Sequence, residues 1–305
     1  MSESGRAVVS GSSGLIGRRL VESLRQGGWR VDPLVRRAAV PGTSEISWDP
    51  DHGEIAAAAL EGSDAVVHLA GESVARGRWN AERKQAILDS RVRGTRLLAG
   101  TLAHLSRPPT VFVSASAIGY YGDRGVKTLT ESSSPGDGFL AEVCRAWEGA
   151  ADLLQHTGTR VVNMRIGVVL SGQGGALARM LPVFRYGLGG RLGHGRQFVS
   201  WIALTDLVRA IEHVIATPGV VGPVNAVAPE PVSNAEFTRA LGRVLRRPTV
   251  CRVPARLVRW LLGEMGEALL LASARVEPVK LVESGFAYRH ADIENALLAE
   301  TGAVA

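Results

Sequence analysis

Ser10-Gly11-Ser12-Ser13-Gly14-Leu15-Ile16-Gly17 decides the fold. It lies between an apolar run, Arg6-Ala7-Val8-Val9-Ser10, and the segment Leu15 to Arg25, where Leu15, Ile16, Leu20, Val21 and Leu24 share one face at helical period. Glycine recurs at every third position. In a strand–turn–helix, Gly11 permits the tight turn, Gly14 lets a diphosphate approach the backbone, and Gly17 lets helix and strand touch. Amides at the helix start then face the anion. A glycine triplet alone is weak; one placed between a strand and a helix predicts a dinucleotide loop, which Ser12, Ser13, Leu15 and Ile16 complete.

Downstream, short apolar runs alternate with helical periods. Residues 30–36 read as a strand weakened by Pro33, and residues 45–48 as a further candidate. The run 65–70 (AVVHLA) suits a strand buried on both faces. A helix over about 81–104, a strand over 110–114, a helix over 139–156 and a strand over 160–170 follow. Strand and helix in alternation imply βαβ units and a parallel sheet. The expected fold is therefore α/β, a Rossmann-like doubly wound parallel sheet with a smaller, mostly helical C-terminal substrate domain. Residues 1–170, with 198–228 returning to the sheet, form the expected nucleotide domain. Residues 171–197 and 229–305 form the expected smaller unit, with the glycine-rich stretch 171–195 as a lid-like loop.

The 305 residues carry 35 Lys+Arg against 29 Asp+Glu, with 46% hydrophobic content. That is the balance of a folded globular chain, neither disordered nor fibrous. The excess positive charge is arginine scattered in runs of at most two, without a nucleic-acid motif, so no nucleic-acid partner is expected. Cys144 and Cys251 are the only cysteines, which excludes a disulfide framework or a cysteine zinc site and suits a reducing compartment. No secretory signal is read at the start. The stretch 257–274 is broken by Arg259, Glu264 and Glu267, so it reads as an amphipathic helix pair, not a span. A cytoplasmic protein, without membrane association, is expected.

The end of the second strand selects the nucleotide. An NAD site usually offers the ribose an acid there; here Val35 is followed by Arg36-Arg37, with Asp32 earlier in the strand. Guanidinium groups suit a 2′-phosphate, so NADP(H) is the expected cofactor.

These residues resemble the extended short-chain dehydrogenase/reductases. The resemblance rests on the glycine loop, His68-Leu69-Ala70-Gly71, Val92-Arg93-Gly94-Thr95, Ser114-Ala115-Ser116 followed by Tyr121-Gly122, and Trp201 to Leu207. More closely, the chain is similar to the atypical SDR39U1-type epimerase family proteins. That similarity runs through Gly71-Glu72 to Trp79, Ser114 to Gly122, Gly172 to Met180, Leu261 to Met265 and Val276 to Phe286. It implies cofactor contacts from Leu69, Ala70, Gly71, Glu72, Arg91, Ser114, Cys144, Arg165 and Gly167, and a substrate contact from Arg196. Extended members also use a Tyr-x-x-x-Lys pair. Counting from Thr130-Glu131 and Pro135 puts Leu140 at the tyrosine position and Cys144 at the lysine position, so that proton relay is absent. Ser116 stands where the family has its catalytic serine or threonine. Tyr120 and Tyr121 follow as candidate proton donors. His68 reads as structural, His194 has no partner at metal-ligand spacing, and no metal is expected.

Two functions follow. One is an NADP(H)-dependent oxidoreductase or epimerase-like enzyme on a carbonyl or hydroxyl of an unidentified small molecule. The other is a non-catalytic NADP(H)-binding sensor or regulatory protein, which the missing pair motivates. The helices near 83–105 and 139–154 offer a face for a homodimer; a monomer is equally consistent.

Overall fold

The computed structural model describes residues 4–302. In chain order the first half comprises β1 (Ser4–Ser10), α1 (Leu15–Gln26), β2 (Trp29–Val35), β3 (Ile46–Asp49), β4 (Glu54–Ile55), β5 (Ala65–His68), α2 (Ala81–Ala103), β6 (Val111–Ala117), β7 (Thr128–Leu129) and α3 (Phe139–Gly149). Then come β8 (Arg160–Ile166), β9 (Val168–Leu170), α4 (Gly175–Arg185), β10 (Gly190–Leu192), β11 (Phe198–Val199), β12 (Trp201–Ala203), α5 (Leu204–Ala216) and β13 (Gly222–Ala226). The C-terminal part holds β14 (Val232–Ser233), α6 (Asn234–Val244), β15 (Cys251–Val253), α7 (Ala255–Gly266), β16 (Arg275–Val276), α8 (Val279–Glu283) and α9 (Ile293–Thr301).

Eight strands form one sheet in the order β13-β8-β6-β5-β1-β2-β3-β4, parallel except for the β3–β4 pair. This is the doubly wound order, with the switch between β1 and β5, where ligands of open α/β sheets bind. Period-2 alternation divides the central strands between two cores. Val9, Val67, Val113, Val162 and Val224 pack against α1 and α5, while Val8, Val66 and Phe112 pack against α2. On α1 the buried residues Gly17, Leu20, Val21 and Leu24 make one stripe, and Gly28 at φ +83° turns the chain into β2. A third core, with Leu177, Leu181, Phe184, Trp201 and Phe237, lies among α4, α6 and α9.

Several elements differ from their sequence reading. Pro33 does sit within β2, paired to Val9 of β1; pairing with β3 starts only at Leu34, so its missing donor does not interrupt the β2–β3 register. The expected helix 139–156 ends at Gly149 and gives way to a short turn over Asp152–Leu154. The strand 160–170 breaks at Gly167 because β8 pairs with β6 and β13 while β9 leaves to pair with β12. The glycine-rich stretch is not a loop throughout: Leu177, Leu181 and Phe184, spaced i, i+4, i+7, bury one face of α4. In the amphipathic segment, α7 bends at Gly263, whose backbone has φ +59°, before a wide turn over Glu267–Leu271. Among the described residues no helix is long and apolar enough to cross a membrane.

Candidate functional site

The glycine loop folds as a cradle of backbone. Gly11 has φ +67° and a Cβ there would lie 2.8 Å from the Ala70 nitrogen, so turn geometry and close packing both require glycine. A Cβ on Gly17 would fall inside the carbonyl oxygen of Gly11, which is how α1 comes against the end of β1. The Gly14 amide donates to the Gly11 carbonyl at 3.0 Å. Gly14 begins α1 with no side-chain cap, so the first-turn amides through Leu15 and Ile16 have no acceptor within the helix. Ser13 and Gly14 are exposed and Ser12 half-buried at the mouth of this cradle.

Beneath it, Ser10 Oγ lies 2.6 Å from His68 Nδ1 and accepts from the amides of Leu69 (3.2 Å) and Ala70 (3.4 Å). His68 is fully buried between Trp48 and Phe112. Burial, with the Arg91 charge nearby, pushes its pKa down to about 3. It is a neutral strut tying the ends of β1 and β5. Arg91 braces the same loop from α2, donating to the carbonyls of Glu72 and Ile87 at 3.0 Å and stacking 4.9 Å over Trp147. Glu72 pairs with Arg83 at 2.9 Å, which holds its carboxyl below the usual carboxylate range; Arg76 and Arg36 add to that pull.

At the end of β2 no acid is left for a ribose. Asp32 is buried and paired with Arg6 at 2.6 Å and Arg30 at 3.3 Å. The two arginines that follow are not equivalent. Arg37 makes a two-point pair with Glu45 at 2.6 and 2.8 Å. Arg36 is exposed and makes no ion pair among the described residues, so it is the guanidinium left to meet a phosphate. A backbone anion cradle, no ribose acid and one free arginine fit a phosphorylated dinucleotide.

The second cluster is made of side chains. Register aligns Ser116 of β6 with Arg165 of β8, and Arg165 with Asn225 of β13. Ser10, His68, Ser114 and Asn163 form the neighbouring row on the same face. Ser116 is buried and its Oγ donates to Glu148 Oε1 at 2.7 Å. Arg165 grips both oxygens of that carboxylate, at 2.9 Å from Nε and 2.8 Å from a terminal nitrogen. Burial alone would lower the Arg165 pKa, but Glu148 holds it above the usual range.

The other end of Arg165 donates to the Tyr121 hydroxyl at 3.0 Å and the Glu131 carbonyl at 3.3 Å. Tyr121 is fully buried, and its single hydroxyl proton lies between two acceptors, Asn225 Oδ1 (2.7 Å) and the Thr130 carbonyl (3.0 Å). Burial pushes its pKa up to about 12 against the pull of Arg165. Tyr120 differs: its ring lies 3.4 Å under the Arg165 guanidinium, it is half-buried, and its hydroxyl makes no hydrogen bond among the described residues.

Leu140 and Cys144 face Gly119 from α3. The Cys144 thiol is buried and points at the Ala117 carbonyl at 3.6 Å; burial, then the Glu148 charge, pushes its pKa up to about 11. It is inert packing at neutral pH. Ser114 is buried within β6. The close approach that Gly167 permits is to the protein's own Ser200 and Val227. Arg196 is exposed on the turn after β10, and among the described residues its side chain makes no hydrogen bond or ion pair with the cluster.

Sequence reading missed Glu148 and Asn225. A signal for Glu148 existed: it lies one helical turn beyond Cys144, on the face turned to β6. Asn225 could be found only through strand register.

A family model described as "NAD dependent epimerase/dehydratase family" matches residues 7–226, and a "Domain of unknown function (DUF1731)" matches residues 253–300. The chain belongs to the NAD dependent epimerase/dehydratase family. Among its relatives, Epimerase family protein Mb2239 of Mycobacterium bovis is 45% identical over 289 residues, 95% of each chain. A crystal structure of human epimerase family protein SDR39U1 (isoform 2) with NADPH is 33% identical, with a TM-score of 0.89 over 98% of this chain and 100% of that one. A nucleoside-diphosphate sugar epimerase structure from Corynebacterium glutamicum is 40% identical, with a TM-score of 0.80 over 98% of this chain and 58% of that one.

Proposed function

We propose that the chain is an NADP(H)-dependent oxidoreductase or epimerase-like enzyme acting on a hydroxyl or carbonyl of a small molecule. The observation that carries this reading is the uncapped start of α1 against the Gly11 turn, with Arg36 unpaired at the end of β2. The amides of Leu15 and Ile16 would hold the diphosphate, and Arg36 the 2′-phosphate. The human relative solved with NADPH supports the same nucleotide. When bound, the nicotinamide supplies hydride chemistry. The protein's share is to seat the reacting carbon near Ser116, with Tyr120 as the phenol free to touch it.

The test has two parts. NADPH at about 100 times its Kd should stabilise the fold by roughly 2.7 kcal/mol, and NADH should bind more weakly. A panel of carbonyls and alcohols should then show turnover that Ser116→Ala removes. Tighter binding of NADH, or unchanged turnover in Ser116→Ala, would overturn the assignment.

A second reading, a non-catalytic NADP(H) sensor, is favoured by one specific observation. Leu140 and Cys144 replace the family pair, and Tyr121 is fully hydrogen-bonded to the protein itself. It predicts tight nucleotide binding with no turnover across the panel.

A further inference from the structure

We infer that the site is built to receive a substrate hydroxyl rather than a carbonyl, and that Glu148 makes it so by holding the Ser116 proton. The inference rests on the oxidoreductase reading and deepens it. A carboxylate only accepts hydrogen bonds. Glu148, ion-paired to Arg165, lies 2.7 Å from Ser116 Oγ, so the serine proton is committed to it. What Oγ has left is lone pairs. A carbonyl oxygen brought there meets an acceptor; a hydroxyl meets its partner.

The arrangement is fixed from behind. Arg165 and Glu148 are joined at two points, and Arg165 is anchored again through Tyr121 and the Glu131 carbonyl. Glu148 has no freedom to turn away and release the serine. Ser116 is itself buried at the end of β6. The buried Cys144 thiol beside it is directed at the Ala117 carbonyl at 3.6 Å and, as a neutral thiol, competes poorly with the Glu148 carboxylate for the serine proton.

In the oxidising direction the step balances. The carbinol C–H bond breaks and leaves as hydride to an oxidised nicotinamide nucleotide, while the C=O bond forms. The substrate O–H proton passes to Ser116 Oγ, and the serine's own proton passes to Glu148 Oε1. Glu148 thus takes the proton that the absent Tyr-x-x-x-Lys pair would have handled. It acts through Ser116 and is a positioning residue and proton store.

The experiment uses the full chain saturated with NADP+ and pairs of secondary alcohols and ketones sharing one carbon skeleton, such as cyclohexanol and cyclohexanone. Competition is followed by saturation-transfer NMR. The alcohol of each pair should bind severalfold more tightly, and Ser116→Ala should erase the difference. In the double variant Glu148→Leu with Arg165→Met, which removes the carboxylate without stranding its partner charge, nothing holds the Ser116 proton, so preference should move toward the ketone. If Glu148 only supports the fold, that variant lowers the melting temperature and leaves the ratio unchanged, which overturns the inference. Ketones binding as well as alcohols to the wild type, or neither class binding, overturns it too. Failure of the cofactor reading is read separately, as absent NADP+ binding to the wild type, and takes the inference with it.

Discussion

The two ends of this site are built from different materials. At the β1–α1 turn the working groups are backbone amides, and the sequence requirement is glycine at fixed spacing. At the ends of β6 and β8 the working groups are side chains that meet across 32 residues, Ser116 to Glu148, and 17 residues, Glu148 to Arg165. The first end keeps the family's pattern. The second has Leu140 and Cys144 where the resemblance implies a Tyr-x-x-x-Lys pair, and it joins a serine, a carboxylate and a guanidinium beside them. A backbone site tolerates little change, because moving it means moving a helix; a side-chain site can be rebuilt one residue at a time. That difference predicts where substitutions should hurt folding, binding or chemistry.

The largest effect is expected at Arg165. Its guanidinium side chain is 3% exposed, and that of Glu148 13%. Arg165→Met leaves a carboxylate almost buried and unpaired, a change that costs about 3–5 kcal/mol. Urea unfolding should show the loss, and adding Glu148→Leu should restore a large part of it. If the double variant is no more stable than Arg165→Met, the pair is not the unit described here. Gly17→Ala comes next, because its Cβ must push α1 away from the Gly11 carbonyl. Overpacking of this kind costs about 1–3 kcal/mol, and NADPH should no longer raise the melting temperature. Gly14→Ala, with only the Gly11 oxygen at 3.2 Å from the new Cβ, should be much milder. Equal losses at the two glycines would contradict the cradle geometry.

Arg36 and Arg37 sharpen the contrast on a smaller scale. A lost charge-assisted hydrogen bond is worth about 1.5–3 kcal/mol, so Arg36→Ala should weaken NADPH binding about tenfold or more and leave NADH nearly unchanged. Arg37, engaged by Glu45, should give a smaller loss. Nucleotide fluorescence titration reads both; equal loss of NADPH in the two variants would show that Glu45 gives up its partner on binding.

How much of this was legible follows from the same division. The cradle and the αβ alternation are local patterns readable from spacing, whereas the missing Tyr-x-x-x-Lys pair was legible only against the family that the chain resembles. The split of residues 160–170 at Gly167 was not readable, because it depends on β12 arriving from 33 residues further along the chain to pair with β9. The helix Gly175–Arg185 was hidden by flanking glycines that suggest a loop, although its buried face repeats at helical period. The unequal fates of Arg36 and Arg37 turn on Glu45, eight residues beyond Arg37 on the way into β3. Glu148 carried a one-turn relation to Cys144, but its chemistry exists only once β6 and β8 lie side by side.

His68 gives the smallest effect at neutral pH and the clearest dependence on acid. Its pKa in the fold is about 3, against about 6.5 for an unperturbed histidine. Between these values the unfolded chain takes up a proton that the folded chain refuses. Stability from this group is therefore complete above about pH 6.5 and falls as the pH is lowered, by up to about 1.4 kcal/mol per pH unit. His68→Gln removes that dependence. It also disturbs the strut to Ser10, so the variant should be less stable than wild type at pH 8. The gap should close as the pH falls from 6 to 4, because only the wild type carries the histidine penalty. Urea midpoints across that range measure it. A gap that stays constant would mean that His68 opens to solvent, and the hydrogen bond that joins β1 to β5 beneath the nucleotide loop would then have to be sought in another pair.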